Sequence, residues 1–161
     1  MEKEVSTTVK VRFSDCDPIG HLNNVKYLDY MFNAREDHVE TYYGFTYEEY
    51  TKRTGCTWIT VQNEIAYLRE VRYNHQVVIS SKTIEISERT AKVEILMKSA
   101  DEKTIHAVMW VTVIYFNMKT RRSETHPQDI IETFGKFFVD LEQKDFQTRV
   151  KFLRSQNAKN S

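Results

Sequence analysis

The chain is short of the residues that break or staple a fold. Four glycines and two prolines among 161 residues leave little material for flexible linkers, so one domain is expected. Two cysteines, Cys16 and Cys56, make no disulfide framework, and no Cys-x-x-Cys pair occurs. Neither sign of charge is in excess. The 23 basic and 23 acidic residues cancel, which argues against nucleic acid as a principal ligand, because phosphate binding needs a basic face. A local basic patch for a phosphorylated cofactor stays open. No apolar run approaches the ~18 residues of a membrane span. The opening MEKEVSTTVKV lacks the apolar stretch of a secretory signal. The expectation is a cytoplasmic protein with no membrane and no nucleic-acid partner.

Aromatic bulk is what the chain has instead. Nine Tyr, nine Phe and two Trp offset an apolar fraction of only 40%, since each buries a large area. A chain of this length can build one packed core. Alternation over Thr7–Phe13 predicts a first strand, and Asp15–His21 follows as a loop with turn chemistry from Pro18 and Gly20. From Asn24 the period becomes helical. Val25, Leu28, Phe32 and Val39 form an apolar stripe joined by Met31, Tyr42 and Tyr43, and Gly44 ends it. Tyr47–Arg53 suits a short second helix. Four strand patterns follow: Thr57–Leu68, Gln76–Glu88, Ala91–Ser99 and Thr104–Phe116. Their connections look short, so they are expected to form an antiparallel meander. Pro127 opens a further helical segment. Residues 1–140 read as the domain, and 141–161 as a basic C-terminal helix or tail, loosely held. A helix of about five turns must bury its stripe. The fitting surface is the hollow of a curved five-stranded antiparallel sheet, an α+β architecture wrapped around a long central helix.

The densest chemistry lies in DCDPIGHLNN, Asp15–Asn24. A strand enters and a helix leaves, so a carboxylate, an imidazole and a helix N-terminus can converge there. An ionised Asp17 near that N-terminus can attack an electrophile or activate water; its plain alternative is an Asx-turn residue. His21 can orient water, hydrogen-bond Asp17 or donate to a substrate carbonyl, or simply hold the loop. Asn23 is a cap or loop tie. Cys16 is disfavoured as a nucleophile because two flanking acids suppress its thiolate. Asp15, Asp17 and His21 form a weak metal-ligand set, confined to one loop, so no metal is expected.

The motif Asp15-x-Asp17-x-x-Gly20-His21-x-Asn23-Asn24-x-x-Tyr27 resembles the hotdog-fold acyl-CoA thioesterases, in particular the 4-hydroxybenzoyl-CoA thioesterase branch. Tyr67–Ile79 looks like the second strand, hairpin and third strand of that family. The resemblance covers residues 5–140. It implies a hotdog homodimer joined edge to edge, often further paired into a homotetramer, with active sites at the dimer interface and the acyl group tunnelling beside the helix. It also implies hydrolysis of an acyl-CoA to a carboxylic acid and coenzyme A, with no cofactor beyond the substrate's own coenzyme A. Asp17 falls on the family's catalytic acid. Asn24 falls where a backbone N–H polarises the thioester carbonyl. His21 falls on a histidine that assists in plant acyl-carrier-protein thioesterases, which carry Asn where Ile19 stands here. Tyr27, one turn past Asn24, reads as core before pocket. Asn63 and Glu64 interrupt a strand pattern and are further pocket candidates, although Glu64 reads first as a dimer-contact or solvent-facing residue. Arg69, Arg72, Arg121 and Arg122 are open to the nucleotide end of coenzyme A. The alternatives are a hotdog hydratase or dehydratase and a non-catalytic acyl-CoA binding or sensing domain.

Overall fold

The periods legible in the chain become elements in a computed structural model that describes residues 2–161. The strands are β1 (Val5–Lys10), β2 (Cys56–Tyr67), β3 (Gln76–Ile86), β4 (Thr90–Ser99), β5 (Ile105–Asn117) and a two-residue β6 (Arg122–Ser123). The helices are α1 (Asn24–His38), α2 (Tyr47–Thr54), α3 (Gln128–Gly135) and α4 (Phe146–Asn160). The strands form one antiparallel sheet in the order β1-β3-β4-β5-β2, with β6 beside the end of β5. This is the α+β hotdog architecture, a long helix in the hollow of a sheet.

The meander is corrected in one place. β2 pairs with β5 rather than β3, and β3 takes β1 as its other neighbour. Residues 68–75 are therefore a crossover from one edge of the sheet to the far side, not a hairpin. Val71, at the middle of this segment, is buried against the core beneath α1. Alternation reveals a strand but not its partner, so a connection of eight residues was open to either reading.

α1 continues through a wider turn, Val39–Tyr43, and ends at Gly44, whose φ of 90° suits glycine. Its buried face carries Tyr27, Met31, Ala34, Arg35 and His38. This differs from the expected stripe, since Val25 is 71% exposed and Leu28 and Phe32 lie on the flank. The rotation has a polar cause. His38 Nδ1 lies 2.7 Å from Ser81 Oγ and its Nε2 lies 3.3 Å from Thr7 Oγ1. Arg35 Nη1 donates to Ser81 Oγ and to the Tyr43 hydroxyl, both at 3.0 Å. Hydroxyls on the hollow face of the sheet thus satisfy polar groups that would otherwise be costly to bury.

The outer face of the sheet is covered by α4, which is firmly docked rather than loose. Glu94, fully buried on β4, accepts from Arg149 Nε at 2.8 Å and Nη2 at 2.6 Å. It also accepts from Trp110 Nε1 at 2.8 Å and pairs with Lys82 at 2.9 Å. Burial alone would raise this carboxyl, but the bonds from Arg149 and the charge of Lys82 outweigh it and hold it below the usual range. Farther along, the Asn157 amide donates to Ile105 C=O at 2.9 Å and accepts from Ile105 N–H at 2.7 Å. That pair of bonds does for the start of β5 what a neighbouring strand would do. Among the described residues no helix is long and apolar enough to cross a membrane.

Two outcomes follow from these buried charges. Glu94→Gln leaves Arg149 and Lys82 without their anion and is expected to lose roughly 3–5 kcal/mol in urea unfolding; a loss under ~1 kcal/mol would show that the pair does not hold α4. Burial, reinforced by the charge of Arg35, pushes His38 from 6.5 down to about 4. The unfolded chain therefore binds that proton first, and stability present above the unfolded value of ~6.5 is lost as pH falls towards ~4, by at most about 3 kcal/mol. His38→Gln should flatten the acid limb of stability against pH relative to wild type, and parallel limbs would contradict the assignment.

Candidate active site

Asp15–Asn23 folds as a miniature hairpin. Cys16 bridges Leu22, Asp17 N–H donates to His21 C=O at 2.8 Å, and Asn23 N–H donates to Asp15 C=O at 3.0 Å. Gly20 closes the turn with a φ of 85° and a bond from its N–H to Asp17 C=O at 3.0 Å. Asp17 sits at the tip. Its Oδ1 accepts from the Ile19 and His21 N–H groups, each at 3.0 Å, while its Oδ2 accepts no hydrogen bond from the described residues. One oxygen holds the loop and the other is left available.

The crossover clamps this hairpin from above. Leu22 N–H donates to Val71 C=O at 2.7 Å, and Tyr73 N–H donates to Gly20 C=O at 3.1 Å. His21 Nδ1 lies 3.2 Å from Glu70 Oε2, so its ring pairs with Glu70 and not with Asp17. Glu70 also lies 3.9 Å from Arg72. Sequence reading missed Glu70. An exposed acid in a linker has no signal until the crossover carries it over the loop.

Asn23 stands at the N-cap of α1 with extended dihedrals and makes no side-chain cap bond. The first helical N–H groups, beginning at Asn24, therefore have no side-chain acceptor, and the helix dipole adds to their pull on an anion. Asn24 C=O is held by the Tyr67 hydroxyl at 3.1 Å. Asp15 is a tie: the Tyr30 hydroxyl donates to its Oδ2 at 2.5 Å and accepts from Arg12 N–H at 3.0 Å. Burial, followed by the charges of Asp17 and Asp15, pushes the Cys16 thiol up, away from a reactive thiolate. Asp15, Asp17 and His21 thus engage three different partners rather than converging on one point.

The remaining candidates separate. Tyr27 is buried edge-on to Tyr67, with ring centres 5.0 Å apart, and burial pushes its phenol up to about 12. Its place is in the core. A bulge between Thr60 and Gln62 resets β2, so Asn63 pairs with Val111 and Glu64 with Trp110. Asn63 is then exposed on the α1 side. Glu64 is carried to the outer face, where it lines a groove with Phe146, Lys151 and Arg154. The structure does not bring Glu64 to the loop of Asp17. A separate cavity of about 350 Å³ lies beside the second half of α1, lined by Phe32, Arg35, Trp58, Ile95, Val111 and Phe134 among others.

This arrangement offers a free carboxylate oxygen and, in the same loop, an open helix N-terminus able to stabilise a developing oxyanion. The profile of the thioesterase-like superfamily matches residues 11–134. No curated protein matches the chain. Among solved structures, a Staphylococcus aureus protein in complex with CoA aligns with a TM-score of 0.78 at 14% identity, over 91% of this chain and 90% of that one. A 1,4-dihydroxy-2-naphthoyl-CoA thioesterase from Synechocystis gives 0.74 at 11% identity, over 82% and 96%. A 12:0-ACP thioesterase from Umbellularia californica gives 0.75 at 16% identity, over 91% and 60%.

Gly20→Ala places a side chain at a φ of 85°, with its Cβ 3.5 Å from the Tyr73 ring. The contact is ordinary, so backbone strain alone should cost about 1–2 kcal/mol in urea unfolding. An unchanged midpoint would mean that the loop does not hold this conformation.

Proposed function

The chain belongs to the thioesterase-like superfamily, a family of thioester hydrolases, and from that premise we propose that it cleaves an acyl-CoA with Asp17 as base or nucleophile. The observation that carries this reading is the free Oδ2 of Asp17 in the loop that leads into an uncapped α1 N-terminus. The thioester carbonyl oxygen takes the Asn24 N–H. In one route Asp17 removes a proton from water as the water oxygen bonds to the carbonyl carbon. In the other its carboxylate bonds to that carbon directly, and water later cleaves the anhydride. In both the C–S bond breaks and coenzyme A leaves as a thiolate, a comparatively good leaving group. His21, backed by Glu70, orients the water, and the proton that Asp17 takes passes to the departing sulfur. Coenzyme A as the carrier is supported by the Staphylococcus aureus fold neighbour, which was solved with CoA.

A homodimer is part of the proposal. β2 pairs only with β5 and leaves a twelve-residue edge bearing the exposed Ile59 and Val61. Phe13 and Ile19, at 76% and 71% exposure, add apolar surface around the loop of Asp17. A second copy joined along β2 would cover this edge. Because α4 occupies the outer face of the sheet, any pairing of dimers into a tetramer would use another surface.

Asp17→Asn and Asp17→Ala, both folded, are expected to lose at least ~100-fold in kcat for thiol release from a good acyl-CoA. Near-wild-type turnover in both would end the assignment. The donor is tested separately at Asn24. Asn24→Ala keeps the N–H. Asn24→Pro removes it at a helix position where proline is tolerated, and the extended Asn23 before it suits a following proline. Proline alone should cost ~100-fold or more; equal rates for the two variants would exclude this N–H as the donor.

A further inference from the structure

The resemblance to the hotdog thioesterases runs the acyl group beside α1, and we propose that in the cavity there Arg35 selects a tail ending in a carboxylate. This rests on the thioesterase reading. The cavity is about 350 Å³, and its walls are mostly aromatic and aliphatic, with Thr57 and Thr60 among them. Arg35 is a full charge in that lining and only 7% exposed. Its neighbours are neutral: the Tyr43 hydroxyl, Ser81 Oγ, the Tyr43 ring 4.6 Å beneath the guanidinium, and the Tyr47 hydroxyl beside it. None of the ion pairs among the described residues includes it. His38, one turn on, is held neutral by burial and gives no counter-charge. Glu36 lines the same cavity, but it is exposed and beyond ion-pair distance.

A guanidinium stripped of water without an anion is costly, and natural sites pair it. The geometry of its bonds points to what is missing. Nη1 spends both protons on Tyr43 and Ser81, and the Tyr47 hydroxyl also bonds the guanidinium, so its partners are all neutral hydroxyls and none is an anion. The Nε–Nη2 edge of a guanidinium is the fork that grips a carboxylate with two parallel bonds, and here a carboxylate would meet it beside the Tyr47 hydroxyl. The Tyr47 phenol supplies a further donor. Arg35 lies eleven residues beyond Asn24, ~16 Å along the helix, with Leu28 and Phe32 half-buried between them. The scissile carbonyl and the recognised end of the tail are therefore well separated, as an ω-carboxyacyl group requires. A methyl-ended tail would leave the guanidinium against hydrocarbon, and that penalty makes the discrimination.

The test compares thiol release from matched pairs: hexanoyl- and adipoyl-CoA, octanoyl- and suberoyl-CoA, decanoyl- and sebacoyl-CoA. At the preferred length the ω-carboxy member should lead by at least ~10-fold in kcat/KM. Arg35→Met should invert that ratio, and Tyr47→Phe, which leaves the Arg35 contacts to Tyr43 and Ser81 in place, should reduce it. No preference in wild type, or a ratio unmoved by either variant, overturns the proposal. Calorimetry with free suberate and sebacate reads the site without turnover: saturable binding lost in Arg35→Met, or in Arg35→Lys should the methionine variant not fold, supports it, and absent binding overturns it. Failure to release thiol from any acyl-CoA would instead strike the thioesterase reading, with dicarboxylate binding still deciding the role of Arg35.

Discussion

A helix lodged in the hollow of a sheet needs an answer from that sheet for every polar group on its inner face. α1 meets this demand at Arg35 and His38, through Ser81, Thr7 and Tyr43, and Tyr43 is in turn 3.2 Å from Thr83. Each such bond contributes only about 1 kcal/mol, but leaving one unmade costs more. The pattern therefore fixes the rotation of α1 more firmly than interchangeable apolar contacts would. Rotation fixes where the first turn points, and the first turn fixes where the loop that precedes it can close. The path from core polarity to the geometry around Asp17 is short and continuous.

The structural and chemical readings of Asp17 are not rivals. An Asx-turn residue uses one carboxylate oxygen to hold N–H groups two and four residues on, and Oδ1 does this for Ile19 and His21. The turn in turn holds Oδ2 in a fixed direction, in the loop that leads into α1. Preorganisation of this kind gives a single carboxylate value as a base or nucleophile, because the loop has met its ordering entropy before substrate arrives.

Local pattern made the elements legible. Strand patterns marked five of the strands, Gly44 marked the end of the helix, and Pro18 with Gly20 marked the turn at Asp17. What stayed hidden depended on partners. β2 reads the same whether it lies beside β3 or β5, and the crossover that decides the matter is recognisable only once Val71 is seen buried. Counting apolar side chains turned α1 towards Val25, since Arg35 and His38 do not look like core until Ser81 and Thr7 stand opposite them. Glu64 moved to the outer face through one extra residue at the bulge, which reverses every later side chain in β2. Glu70, exposed and in a linker, acquires meaning only from its 3.2 Å approach to His21.

The clasp between Glu94 and Arg149 also imposes an order in time. The two residues are separated by 55 positions, and the ribosome delivers the acid long before the base. Through that interval the outer face of the sheet, with Trp110 and Leu96 on it, is uncovered, and Glu94 has only Lys82 as its cation. An emerging chain can thus enclose α1 while its other side stays bare and open to chaperones or to stray association. Folding of this domain is completed from behind, after the pocket side has already taken shape.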